Sequence, residues 1–129
     1  MTEFTDHSVF RGVVSRLLNV TYEIEGRAVV VHAAGEVDLS IAPLLADQLR
    51  TAETAAIAPA PVVLNLGDVT FFGSPGLSVL VEHHYLCAAL GTPLRVVAGH
   101  RPVTRPLAIT GLDQMITTVP TMRHALDAE

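Results

Sequence analysis

Tryptophan is absent from this 129-residue chain, and two tyrosines and four phenylalanines are its only aromatic residues. A stacking platform for single-stranded nucleic acid is thereby excluded. Basic residues are also scarce: eight Lys and Arg lie scattered against thirteen Asp and Glu, for a formal net charge of −5. Neutralising a phosphate backbone needs clustered cations, so an effect on gene expression would have to run through another protein. An acidic surface of this kind suits a partner with basic groups at the contact. The single cysteine, Cys87, has no intrachain partner and falls in a helix-like run, where a small buried side chain is expected. No apolar run approaches the roughly 20 residues needed to cross a bilayer. The start, Met1-Thr2-Glu3-Phe4-Thr5-Asp6, lacks a basic patch and an apolar stretch, and the expectation is a cytoplasmic protein.

Enzymatic patterns are missing as well. A hydrolase elbow needs Gly-x-Ser-x-Gly, and Phe72 occupies the first glycine position although Gly76 fits the second. The histidines His7, His32, His83, His84, His100 and His124 form no visible pairing of a base with an orienting acid. Adjacent His83 and His84 point about a hundred degrees apart on a helix, which makes a shared metal unfavourable. His84 is expected on the half-buried stripe and His83 toward solvent. No glycine-rich phosphate cradle with lysine is present, and Glu36 with Asp38 reads as a loop pair rather than an acid/base pair. The chain is therefore expected to need neither cofactor nor metal and to act by binding.

Half of the residues are hydrophobic, enough for one core at this length. Residues 1–17 read as an arm or short helix with Val9, Phe10, Val13 and Val14 as packing residues. Their composition does not choose among packing on a sheet edge, a weak homodimer and mobility. Leu17–Glu25 and Ala28–Ala34 flank Glu25-Gly26-Arg27 and predict a hairpin. The run Ala28-Val29-Val30-Val31-His32-Ala33-Ala34 is too continuously apolar for a one-faced strand and should be central. Past Gly35-Glu36-Val37-Asp38-Leu39 the pattern turns helical, with Ser40 as its N-cap and Leu45, Leu49, Ala52 and Ala56 recurring at three or four. A strand over Val62–Leu66, a helix over Leu77–Leu90 with Leu77, Leu80, Val81, His84 and Ala88 on one stripe, and a strand over Leu94–Ala98 follow. A helix over Arg101–Ile109, an edge strand over Met115–Val119 and a helix over Thr121–Leu126 complete the pattern. Alternating strands and helices predict one α/β domain with a mainly parallel sheet of four to five strands, an antiparallel edge hairpin and about four helices.

In such sheets the working edge lies at the carboxyl ends of the strands. Both the Glu36–Ser40 loop and the Phe71–Gly76 loop leave that edge. The second, Phe71-Phe72-Gly73-Ser74-Pro75-Gly76, is a strand-to-helix turn with one hydroxyl at its apex. Serine before proline suggests an N-cap at Ser74 with Pro75 as the first helical residue. A phosphate there would be favoured by roughly 0.3–1 kcal/mol when exposed, since free amides and the helix dipole point at it. Local geometry alone also fits a serine that only caps.

Gly35-Glu36-Val37-Asp38 after a buried strand, with Leu64-Asn65-Leu66-Gly67-Asp68-Val69-Thr70-Phe71 leading into Ser74-Pro75-Gly76-Leu77, resembles the STAS domain of bacterial anti-sigma-factor antagonists over residues 18–127. The resemblance implies partner switching. The unphosphorylated antagonist binds an ATP-using anti-sigma kinase and releases a sigma factor, and phosphorylation of the turn serine ends the binding. Ser74 falls on the phosphorylated position and Asp38 on the acidic loop residue near the kinase contact. Ser40, Gly73, Pro75, Gly76 and Leu77 surround them as partner-binding surface. The family's turn usually reads Asp-Ser-Ser/Thr-Gly-Leu, so Gly73 replaces an aspartate and Pro75 a second hydroxyl residue. The alternative is a scaffold or small-ligand-sensing module that binds a partner through the same edge, with Ser74 as a cap alone.

Overall fold

The computed structural model describes residues 20–127. The expected arm over 1–17 and the beginning of the first strand lie outside the described residues. A hairpin opens the domain: β1 (Val20–Glu25) runs antiparallel to β2 (Ala28–Val37) around Gly26. There follow α1 (Ala42–Ala55), β3 (Val62–Phe72), α2 (Ser74–Leu90), β4 (Leu94–Val97), α3 (Arg101–Thr110), a 3₁₀ turn at Leu112–Gln114, β5 (Thr117–Val119) and α4 (Met122–Asp127). The five strands are ordered β1-β2-β3-β4-β5, with β2 to β5 parallel. This is the α/β architecture expected, with four helices among the described residues.

The strand order follows the chain order, so each right-handed crossover returns its helix to the same side of the sheet. Accordingly α1, α2 and α3 share one core with the sheet: Leu45, Leu49, Leu80, Val103 and Leu107 meet Val29, Val31, Leu64, Leu66 and Val96. The opposite face carries a smaller cluster, where Ala125, Met122 and Leu126 of α4 cover Val30, Val63 and Val97. Buried Arg95 holds that helix down by donating from Nη1 to the Ala125 carbonyl at 2.8 Å. The central run of β2 is thus covered on both faces, as its continuous apolar character requires. Gly91 and Gly111 end α2 and α3 at φ +78°, a left-handed conformation costly for any residue with a Cβ.

β3 extends to Phe72, past the expected end at Leu66. Its register against β2 slips twice, between His32 and Ala34 and between Gly35 and Glu36, and each slip adds one residue to β3. Extra residues reverse the in/out alternation. Core-facing positions are therefore even-numbered only at first, at Val62, Leu64 and Leu66, and then move to Val69 and Phe72. A pattern that breaks at Gly67-Asp68 looks like a strand end, which is why Phe71 and Phe72 read as loop.

The stripe expected on α2 is also displaced. Its buried residues are Gly76, Val79, Leu80, His83 and Cys87, so His83 is fully buried and His84 half-buried, opposite to the expected exposure of His83. The cause is a partner on α1. His83 Nδ1 lies 2.5 Å from Glu53 Oε2, and the Cys87 thiol donates to the same oxygen at 3.5 Å. Burying the His83 ring is compensated at Nδ1 by the Glu53 carboxylate, a contact that no pattern within α2 announces.

Candidate functional site

Two loops leave the carboxyl ends of adjacent parallel strands and are joined by backbone. Val37 and Phe72 are register partners, and the Gly73 amide donates to the Val37 carbonyl at 3.0 Å. The Asp38 loop and the Ser74 turn therefore lie side by side on one edge of the sheet.

In the first loop the N-cap of α1 is Ile41, without a side-chain cap, in place of the expected Ser40, and Asp38 organises the turn before it. Asp38 Oδ1 accepts the Ser40 amide at 3.0 Å, the Ser40 hydroxyl at 2.8 Å and the Ile41 amide at 3.2 Å. Its own carbonyl accepts the Ala42 amide at 2.9 Å, which starts α1. An aspartate bonding two and three residues ahead is an Asx turn, and its reach explains why the hydroxyl of Ser40 donates instead of capping. The hydrogen bond from Ser40 comes first among the causes that hold the Asp38 carboxyl below its ordinary value of 3.8, with the Ile41 and Ser40 amides adding to it against a desolvation that pushes the other way. A charged, rigidly oriented carboxylate is the result.

In the second loop the ladder of α2 begins one residue earlier than expected. The Gly73 carbonyl accepts the Gly76 amide at 2.9 Å and the Leu77 amide at 3.2 Å, so extended Gly73 is the N-cap and Ser74 the first helical residue. Ser74 is exposed, and no side chain caps this helix. Its hydroxyl is left unoccupied by capping, and the first-turn amides have no side-chain acceptor. Pro75 follows within the first turn, where an N–H is not needed.

Gly76 is buried beneath the turn, so of the residues expected to meet a partner it is the one that presents no surface. A Cβ there would lie 2.9 Å from both Phe72 Cε1 and Val37 Cγ1. The helix start is pressed against the two strands that carry the loops. Leu77, Pro75 and Gly73 are half-buried, and Ser40 is exposed. At Gly73 a Cβ would come within 3.0 Å of Phe71 Cε2, so the Phe71 ring takes space that an aspartate side chain would need. Phe71 and Leu39 are 52% and 77% exposed on this edge. Sequence reading passed over both, although a large apolar residue in a polar loop was the available signal.

No group of three His, Cys, Asp or Glu side chains among the described residues is placed to hold a metal ion. No helix among them is long and apolar enough to cross a membrane.

A family model for the STAS domain matches residues 19–125. The chain belongs to the STAS domain family. It is 32% identical over 124 residues to the anti-sigma-F factor antagonist RsfA of Mycobacterium tuberculosis, covering 96% of this chain and 97% of that protein. Its fold is similar to the crystal structure of an anti-sigma factor antagonist from Mycobacterium paratuberculosis, with a TM-score of 0.76 at 33% identity over 84% of this chain and 91% of the other. Bacillus SpoIIAA in its unphosphorylated form shares the fold at a TM-score of 0.69 and 19% identity, over 84% of this chain and 93% of that one. Within this STAS domain, the Ser74 turn and the Asp38 loop form the edge on which both sequence signatures converge.

Proposed function

We propose that this STAS domain is an anti-sigma factor antagonist. It docks on an ATP-using anti-sigma kinase through the Asp38–Ser74 edge and so releases a sigma factor, and phosphorylation of Ser74 ends the docking. Relatives that match nearly the whole chain and bear the antagonist name support the partner class. The observation that carries the switch is an exposed serine hydroxyl at a helix start without a side-chain cap, tied by Gly73 and Val37 to a charged acidic loop.

In the phosphorylation step the Ser74 oxygen forms a bond to the γ-phosphorus of ATP while the bond to the β,γ-bridging oxygen breaks. ADP leaves, and the hydroxyl proton passes to a base of the kinase or to water. The product carries about −1.5 to −2 charges at Ser74. On the free domain that charge faces water and the positive end of the α2 dipole, which favours it by roughly 0.3–1 kcal/mol. Buried in an interface beside Asp38, the same dianion costs several kcal/mol unless paired, a factor of hundreds or more in affinity. The interface cost outweighs the gain at the helix end, so the domain stays folded while the complex separates. Binding rather than catalysis is the activity of this chain, exercised in the cytoplasm.

Intact-mass analysis after incubation with purified ATP-binding anti-sigma kinases, ATP and Mg²⁺ tests the reading. One added phosphate, lost in Ser74→Ala, is the expected result. Tight binding of a kinase without modification would instead favour a scaffold in which Ser74 has no chemical role.

A further inference from the structure

A groove of about 430 Å³ opens directly beside the candidate phosphorylation site, lined by Ser74, Leu77, Ser78, Val81, Glu82 and Leu112. Ser74, Ser78 and Glu82 are spaced four residues apart on the exposed side of α2, so they form one row about 12 Å long at 1.5 Å per residue. Leu77 and Val81 make a half-buried apolar wall, and Leu112, from the 3₁₀ turn after α3, closes the other side. The rotation of α2 that turns this row outward is the one fixed by His83 and Glu53 on its inner side.

The chemistry changes along the groove. Hydroxyls stand at the Ser74 end, apolar side chains in the middle and a carboxylate at the far end. Glu82 is exposed, forms no ion pair among the described residues, and has no basic neighbour among the lining residues. We infer that this groove is a specificity pocket for the anti-sigma factor, taking an apolar side chain against Leu77, Val81 and Leu112 and an arginine or lysine of the same segment against Glu82. The inference rests on the antagonist reading above and extends the contact surface two helical turns beyond Ser74.

Three considerations select this occupant. An apolar wall is covered with gain only by an apolar group, and an unpaired carboxylate at its end favours a cation and repels an acid. The groove is continuous with Ser74, so a segment that covers the hydroxyl and runs along α2 enters it. Glu82 lies about 12 Å from Ser74, beyond the ~8 Å screening distance of physiological salt. The two ends therefore act separately: the near end reports phosphorylation, and the far end selects which anti-sigma factor is bound.

The experiment measures affinity and its salt dependence for wild type, Glu82→Lys, Glu82→Gln, Ser78→Trp and Glu25→Lys. The probe is the purified ATP-binding anti-sigma factor, from the same genome, that the wild-type domain binds. Glu25 is exposed at the hairpin on the opposite end of the sheet, so Glu25→Lys makes the same change in net charge away from the groove. Glu82→Lys and Ser78→Trp are expected to weaken binding by about tenfold or more, with Glu25→Lys within about threefold of wild type. Glu82→Gln should bind more weakly with a shallower salt dependence. Unaltered melting temperatures separate these effects from misfolding. Wild-type affinity in both Glu82→Lys and Ser78→Trp, or equal losses in Glu25→Lys and Glu82→Lys, overturns the groove assignment alone. Failure of wild type to bind any such anti-sigma factor overturns the antagonist reading and the groove assignment with it.

Discussion

The Gly73 amide and the Val37 carbonyl meet at 3.0 Å, and this one backbone hydrogen bond joins the two loops that carry Asp38 and Ser74. Strand register does the rest, since Val37 and Phe72 are already paired where β2 and β3 end. Position on this edge comes from the sheet, and exposure of the hydroxyl comes from a helix that begins at Ser74 itself.

That junction tolerates little added volume. Gly76→Ala places a methyl group 2.9 Å from Phe72 and Val37, so strand ends or helix start must move. Overpacking of this kind costs about 1–3 kcal/mol. Chemical denaturation should show that loss, and partner affinity should fall as well, because the shift displaces Ser74 relative to Asp38. Ser74→Ala, by contrast, removes an exposed group with no capping bond and should leave stability within about 0.5 kcal/mol of wild type.

Glu53 and His83 face each other inside the protein, with side chains 5% and 0% exposed. Removing either partner leaves the other buried without its shortest hydrogen bond, at a cost of about 3–5 kcal/mol. Glu53→Leu and His83→Leu are each expected to lower the melting temperature by roughly 10 °C or more. The double variant should recover much of that loss, because two apolar groups satisfy one another. A double-mutant cycle measured by thermal denaturation checks this, and additive losses would contradict it.

Cys87 is fully buried, and its thiol is pushed up to about 12 by burial first and by the adjacent Glu53 carboxylate second. At neutral pH the native thiol is protonated and should resist alkylation that proceeds readily in denaturant. The unfolded thiol ionises near its ordinary value of 9.0, so stability owed to this group is present below about pH 9 and is lost as pH rises toward 12. The stability advantage of wild type over Cys87→Ala should shrink across that window, as followed by denaturation at stepped pH.

Asp38 acts in the opposite direction. Its carboxyl ionises below the ordinary value of 3.8 because Ser40 and the loop amides favour the charged form. The contribution is fully present above about pH 4 and disappears as the pH falls through the lowered folded-state value. Asp38→Asn should therefore be less stable than wild type at pH 6, with the gap closing as the solution is acidified below the ordinary carboxyl value of 3.8. A gap independent of pH would show that the charge on Asp38 is not what orders the loop.

Much of the fold was legible because its elements obey their own periods. The hairpin at Gly26 and the continuously apolar run of β2 are local signals, and the structure agrees with them. The family resemblance found the paired loops because two distant signatures carry it. What escaped were features made by tertiary contact. The two register slips hide the second half of β3, since each reverses the alternation by which a strand is read. The burial of His83 depends on Glu53, thirty residues away, and no pattern within α2 announces it. The N-cap of α1 is Ile41 instead of Ser40 and that of α2 is Gly73 instead of Ser74, because loop geometry decides where each helix begins.

The most direct test of the switch is the affinity of the unphosphorylated and the Ser74-phosphorylated domain for the same ATP-binding anti-sigma factor, measured by titration calorimetry with circular dichroism on both forms. Identical folds with an affinity lower by a factor of hundreds or more in the phosphorylated form is the predicted result. Equal affinity of the two forms, or unfolding on phosphorylation, would contradict it.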